Sequence, residues 1–330
     1  MLARGISIAG GLLCATALIY AQSAADTRIR RLAELSVAEI RALDRAKTVV
    51  MIPGGLFEEH GPYLPAFTDG YVSEFAALQV AKAITAKPGW QVVIFPTIPL
   101  GVGSPEDFGG RRPFSGSYTV RPATLRTVLM DLASALGDDG FRWIFIVNNH
   151  GSPSHNRALI EAGDYFRDAY SGTMVPLSAY RYAAVGPRPS LWSDDASREN
   201  AGDVHGGADE TSRMLFLRPA LVHSSYRSAV PQTALSDNDL TRLAAAPDWP
   251  GYFGSPRLAN AKNGGAIVQR FTEDLTALAL RILDGFDPHG LPNRADPGDG
   301  AFKVLDDNLL KRSAALDVRE SDWLRRRSLR

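Results

Sequence analysis

Short unbroken apolar runs alternate along this chain with longer stretches in which apolar residues return every three or four positions. Residues 48–52 and 143–147 are apolar or β-branched nearly throughout, the pattern of a strand covered on both faces within a parallel sheet. Residues 91–98 and 174–177 repeat it. Between these runs the spacing is helical. Residues 71–86 form one such stretch, and within 124–136 Leu125, Val128, Leu129, Leu132 and Leu136 recur ahead of Gly137 and Gly140. Residues 154–166 and 211–217 are further helical stretches, and within 266–283 Ile267, Phe271, Leu275, Leu278 and Ile282 line one face. Ser36-Val37-Ala38-Glu39 fits a capping box opening a short helix that carries Ile40 and Leu43. Strands alternating with helices predict an α/β three-layer sandwich around a mostly parallel sheet.

The punctuation divides the chain further. Residues 187–204 and 230–265 are rich in Pro, Gly, Ser, Asp and Asn and are long for connections, which suits lids or binding loops; Trp192 is a candidate lid residue or a packing residue. Residues 301–330 are highly charged and read as a C-terminal tail, with Arg325-Arg326-Arg327 solvated. At the other end, Arg4 precedes an apolar stretch over 6–20 and the small residues Ala21-Gln22-Ser23-Ala24-Ala25. Residues 1–25 therefore read as a secretory signal peptide, with an uncleaved anchor as the alternative, and the protein is expected in the periplasm or secreted. One domain over 26–300 remains.

Composition narrows the chemistry. The single cysteine, Cys14, falls inside the leader, and the bulky Leu13 before it does not suit a lipoprotein attachment site. A mature chain without thiols can hold a metal only through histidine and carboxylate. Lys plus Arg and Asp plus Glu are 36 each, so no global field recruits nucleic acid or anionic lipid, and a small substrate is expected.

Three of the six histidines, each followed by a glycine, stand in segments that carry candidate chemistry: Glu58-Glu59-His60-Gly61-Pro62 through Thr68-Asp69, Asn148-Asn149-His150-Gly151, and His205-Gly206-Gly207-Ala208-Asp209-Glu210-Thr211-Ser212. In an extended segment Glu58 and His60 point to one face, and the turn-prone Gly61-Pro62 and Leu64-Pro65 can return Asp69 to it. His150 follows the 143–147 strand at the end where ligands gather in open α/β sheets. Glu210 falls in the first turn of a helix, as a dipole-favoured acid or as a ligand or general base, with His205 as a proton donor. Singly, each has an ordinary reading as a loop acid or a hydrogen-bonded histidine. Together, without cysteine, they favour divalent Zn, Mn or Fe, and a carboxylate with two oxygens is able to bridge a pair of ions.

These segments resemble the creatininase (creatinine amidohydrolase) family. Pro53-Gly54-Gly55 through Thr68-Asp69 is similar to its first signature, Asn148 to Gly151 to its Asn-Gly-His-Gly, and His205 to Ser212 to its His-Ala-Gly-x-x-Glu-Thr-Ser; Gly254-Ser255-Pro256 through Ala259 and Gly264 resembles the segment before its last helix. The resemblance implies an α/β sandwich, usually oligomeric, that hydrolyses carbon-nitrogen bonds in amides other than ordinary peptide bonds at two divalent metal ions. Glu58 and His150 would hold one ion, His60 and Glu210 the other, Asp69 would bridge, and His205 would transfer protons while metal-activated water attacks the carbonyl. Gly55 stands where Ser is usual, Glu59 where Gln, Tyr63 where His, and Asn149 where Gly. Ser152 replaces a glutamate ligand expected in creatininases proper, so creatinine is not the expected preferred substrate.

Rival readings are weaker. A serine hydrolase lacks its Gly-x-Ser-x-Gly elbow, and Gly101-Val102-Gly103 lacks the third glycine of a dinucleotide fingerprint. An exported metal-dependent binding protein derived from a hydrolase, without turnover, is the non-enzyme alternative.

Overall fold

The computed structural model describes residues 27–110 and 114–328; the leader with Cys14 lies outside them. Five parallel strands, β1 (Ile29–Arg31), β2 (Thr48–Pro53), β3 (Gln91–Ile94), β4 (Trp143–Val147) and β5 (Thr173–Pro176), form a sheet in the order β1-β3-β2-β4-β5. The two central strands pair with Val50 opposite Ile144 and Ile52 opposite Ile146. Both are β-branched and buried over most of their length, as unbroken apolar runs require in a sheet covered twice.

Alternation along the strands assigns each face its helices. Val50, Ile52, Ile144 and Ile146 pack with Leu125 and Leu129 of α3 (Pro122–Asp138) and with Leu159, Ala162 and Phe166 of α4 (Pro153–Tyr170). Their strand neighbours Val49, Met51, Phe145 and Val147 pack on the opposite face, with Ala77, Val80 and Ile84 of α2 (Thr68–Ala86) and Leu275, Leu278 and Ile282 of α8 (Ala261–Leu283). The three-layer sandwich follows from that period of two.

Two boundaries differ from expectation and one matches it. The ladder of β3 stops at Ile94 because Pro96 has no N–H to donate, and pairing resumes at Ile98, whose N–H donates to Pro53 O at 3.0 Å. α2 begins at Thr68, which puts Asp69 in a helical first turn. The capping box opens α1 (Val37–Arg41) as expected, with Ser36 and Glu39 bonded reciprocally.

The long segments are partly ordered by helices of their own. Residues 187–204 contain α5 (Asp194–Glu199), and 230–265 contain α7 (Asp237–Ala245). Trp192 acts as a packing residue: its indole N–H donates to Asp209 Oδ1 at 2.9 Å, fastening this segment to α6 (Ala208–Leu217). The expected solvated tail is instead α9 (Ala301–Ser328). A thin stripe, Ala301, Leu305 and Leu309 at a spacing of four, is buried, so a mostly charged helix still docks. Phe108, Leu240, Trp249 and Phe253 join Ala301 and Leu305 in a third cluster. Asp306, itself buried, accepts from Ser154 N at 3.2 Å and so caps the start of α4. Arg325, Arg326 and Arg327 are exposed at the far end. No helix among the described residues is long and apolar enough to cross a membrane.

Candidate metal centre

Five of the six candidate residues lie beyond the C-terminal ends of β2 and β4 or at the first turns of α2 and α6, and His205 lies in the loop just before α6. The loop after β2 carries Glu58 and His60, and the segment after β4 carries His150. Gly55 lets the first loop approach α2: a Cβ there would stand 2.7 Å from Gly70 Cα, a backbone atom that cannot step aside. The glycine thus lets the Glu58–His60 loop and the start of α2 with Asp69 come together.

Two triads of ligand atoms result, each within 4.8 Å: Glu58, Asp69 and His150, and His60, Asp69 and Glu210. Asp69 belongs to both. Its Oδ2 lies 3.4 Å from His150 Nδ1, which is also 3.2 Å from Glu58 Oε2. His60 Nε2 lies 3.6 Å from Glu210 Oε2. His205 also falls within such a distance of Glu58 and His60.

Outer contacts fix which nitrogen each ring offers. His150 Nε2 donates to Val102 O at 2.9 Å, leaving Nδ1 toward the carboxylates. His60 Nδ1 donates to Glu58 O at 2.9 Å, leaving Nε2 buried with no hydrogen-bond partner among the described residues. A buried acceptor without a donor is costly in protein alone, and ring nitrogens oriented by backbone carbonyls are the usual outer shell of metal-bound histidine. Nitrogen and carboxylate donors without thiolate fit Zn, Mn or Fe. His155 adds a positioning link: its Nδ1 accepts from Val102 N at 3.2 Å and so steadies the carbonyl that orients His150.

The electrostatics are those of a cation site. Burial pushes Glu58 up to about 7 against the pull of His150. Burial also opposes the charge on Asp69, but His150 and His60 hold it well below the usual carboxylate range. Burial would depress His150, yet Glu58 and Asp69 raise it well above an ordinary imidazole. Protons on the ring thus take the place of positive charge that the carboxylates demand. His205 differs: burial, then His60, lower it well below the ordinary value. Its Nε2 donates to the Glu59 carbonyl, so the neutral ring keeps an acceptor at Nδ1, 3.9 Å from Glu210 Oε2. Burial raises Glu59 well above the usual carboxylate range.

The family model described as creatinine amidohydrolase matches residues 33–279. The chain belongs to the creatininase family. Among curated creatininase-family relatives, the mycofactocin precursor peptide peptidase of Mycobacterium ulcerans is 27% identical over 269 residues, covering 79% of this chain and 96% of that protein. The creatinine amidohydrolase of Pseudomonas putida is 26% identical over 237 residues, covering 67% and 84%. A solved creatininase superposes with a TM-score of 0.56 at 23% identity, covering 78% and 98%, which shows the fold. Creatininases have been solved in a manganese form and, as a mutant, in a zinc-zinc form.

Sequence reasoning missed part of the site in this member of the family. A cavity of about 250 Å³ opens on the centre, and its walls include Arg213, Arg294, Ser178 and, from α9, Phe302 and Leu305. Arg213 had a legible signal, standing three positions after Glu210 and hence on the same helix face. Arg294 and the α9 residues had none, because they lie far along the chain and reach the cavity only through tertiary packing. Asn149 was noticed only as a departure. Its Nδ2 donates to Asp69 Oδ1 and its Oδ1 accepts from Arg213 Nη1, both at 2.7 Å.

Proposed function

We propose that this creatininase-family hydrolase is an exported amidohydrolase that cleaves a non-peptide carbon-nitrogen bond at a two-metal centre. The observation that carries the reading is the shared Asp69 between two triads whose histidines are each turned by a carbonyl to present the other ring nitrogen to the carboxylates. Glu58 and His150 would hold one ion, His60 and Glu210 the other, and Asp69 would bridge them. When bound, such ions supply a water of lowered pKa, near 7 for zinc, and a Lewis acid for the carbonyl.

The chain's own residues supply the rest. Val102 O and Glu58 O orient the ligand rings, and α9 closes the cavity wall with Phe302 and Leu305, limiting water around the substrate. His205 takes a proton at Nδ1, and because its surroundings disfavour the charged ring, the resulting imidazolium is a strong acid suited to protonating the leaving nitrogen. No covalent intermediate on the chain is required.

Turnover tests the reading. Metal-loaded protein should hydrolyse members of a panel of linear and cyclic amides faster than the peptides set beside them. A protein that binds two ions yet turns over nothing would favour the binding-protein alternative, and preferential cleavage of peptides would refute the non-peptide assignment. Export rests on the apolar 6–20 stretch and the small residues at 21–25. Mass spectrometry of the mature protein should place cleavage close to Ala25, and a soluble cytoplasmic chain that keeps residues 1–20 would refute export.

A further inference from the structure

We propose that Arg213 and Arg294 form a recognition site for a carboxylate carried by the amide substrate, on the cavity wall beside the metal centre. This rests on reading the cavity as the site of amide hydrolysis. Among the described residues lining the cavity the only acids are Glu58, Asp69 and Glu210, and all three are candidate ligands. None is left to balance a guanidinium. Two divalent ions against three carboxylates already leave the centre positive, so two arginines beside it add an excess that the substrate has to offset.

The arginines are held for this purpose differently. Arg213, on α6, spends Nη1 on Asn149 at 2.7 Å, while its buried Nε has no hydrogen-bond partner among the described residues. The backbone N–H of Arg294 donates to Ala179 O at 2.8 Å and that of Arg181 to Pro292 O at 2.7 Å, an antiparallel clamp just beyond β5. The Arg294 guanidinium itself has no hydrogen-bond or ion-pair partner among the described residues. It is solvent-accessible, yet desolvation by the surrounding walls and the charges of Arg181 and Arg213 lower its pKa. That combination describes a group standing inside an open cavity among like charges. Like charges gathered in a partly desolvated place favour an anion, and the planar fork of guanidinium matches the two oxygens of a carboxylate.

Calorimetry on metal-loaded protein, with metal content measured in every sample, tests the inference without requiring turnover. The probes are N-acylamino acids with small, aliphatic and aromatic side chains, each paired with its own carboxamide. The carboxylate member of the preferred pair should bind at least about tenfold tighter, as charge-assisted pairing provides. Arg294→Met should abolish that preference while keeping the metal content, and Arg294→Lys should restore part of it. Carboxamides binding as tightly as carboxylates, or a preference that survives both Arg294→Met and Arg213→Met, would overturn the proposal. Carboxylate-selective binding with no hydrolysis of any amide would refute the catalytic reading and leave the anion site standing. Hydrolysis with no carboxylate preference would do the reverse.

Discussion

Replacing Asn149 by alanine isolates the outer shell of the proposed bridging ligand. The side chain makes two hydrogen bonds, to Asp69 Oδ1 and from Arg213 Nη1, while the backbone N–H donates separately to Ser73 Oγ at 3.0 Å and is untouched by the change. Asp69 is buried, so its charge is sensitive to each donor it keeps. A hydrogen bond to a charged acceptor is worth about 1.5–3 kcal/mol, and loss of an outer-shell partner of a ligand costs roughly 10–100-fold in metal affinity. At about 1.4 kcal/mol per tenfold, the two scales agree. Asn149 is only half-buried, so water partly replaces the lost donor, and the expected loss lies in the lower part, about ten- to thirtyfold. Asn149→Asp sets a second acceptor against Asp69 and should cost more. Competition with a fluorescent chelator reads the affinity directly, with melting temperature of the metal-free protein as a control for folding. An Asn149→Ala protein that binds metal within about threefold of the parent, or an Asp variant that binds more tightly, would refute the reasoning.

Four further outcomes follow from the same geometry. Asp69→Ala should lose metal and activity together, whereas His205→Ala should keep its metals and lose about 10²–10⁴ in kcat, and full metal occupancy in the Asp69 variant would exclude bridging. Because protons on His150 and Glu58 compete with the ions, metal uptake should release protons, and below about 7, where both groups carry protons, the apparent Kd should rise by more than tenfold and toward about a hundredfold per pH unit; a Kd flat between roughly pH 8 and 6 contradicts this. Gly264→Ala would put a Cβ 1.8 Å from Ser212 O, prying α8 from the helix that carries Glu210, and should lower stability by about 1–3 kcal/mol or more in thermal melts, an unchanged melting temperature being the contrary result. Steady-state assays should rank creatinine below the best amide, since Ser152 offers a neutral hydroxyl where a carboxylate ligand is expected; creatinine with the highest specificity constant would overturn that.

The sequence by itself determined the layered architecture and the identities of the candidate ligands. Unbroken apolar runs such as 143–147 can be satisfied only inside a doubly covered sheet, and two of the three signature segments follow such strands closely, where short local geometry places their side chains, while the third opens α6. Helical spacing likewise marked α3, α4 and α8 to within a few residues at each end. What needed the tertiary structure was everything set by contacts between distant segments. The docking of α9 was hidden because three buried apolar residues in a charged helix give almost no periodic signal, and the absence of local signal at Arg294 follows from a clamp to a strand end more than a hundred positions earlier. The nitrogen that each of these two histidines presents to the carboxylates belongs to the same class: it depends on whether Val102 O or Glu58 O lies within reach of the ring, a distance that backbone packing decides and composition does not encode.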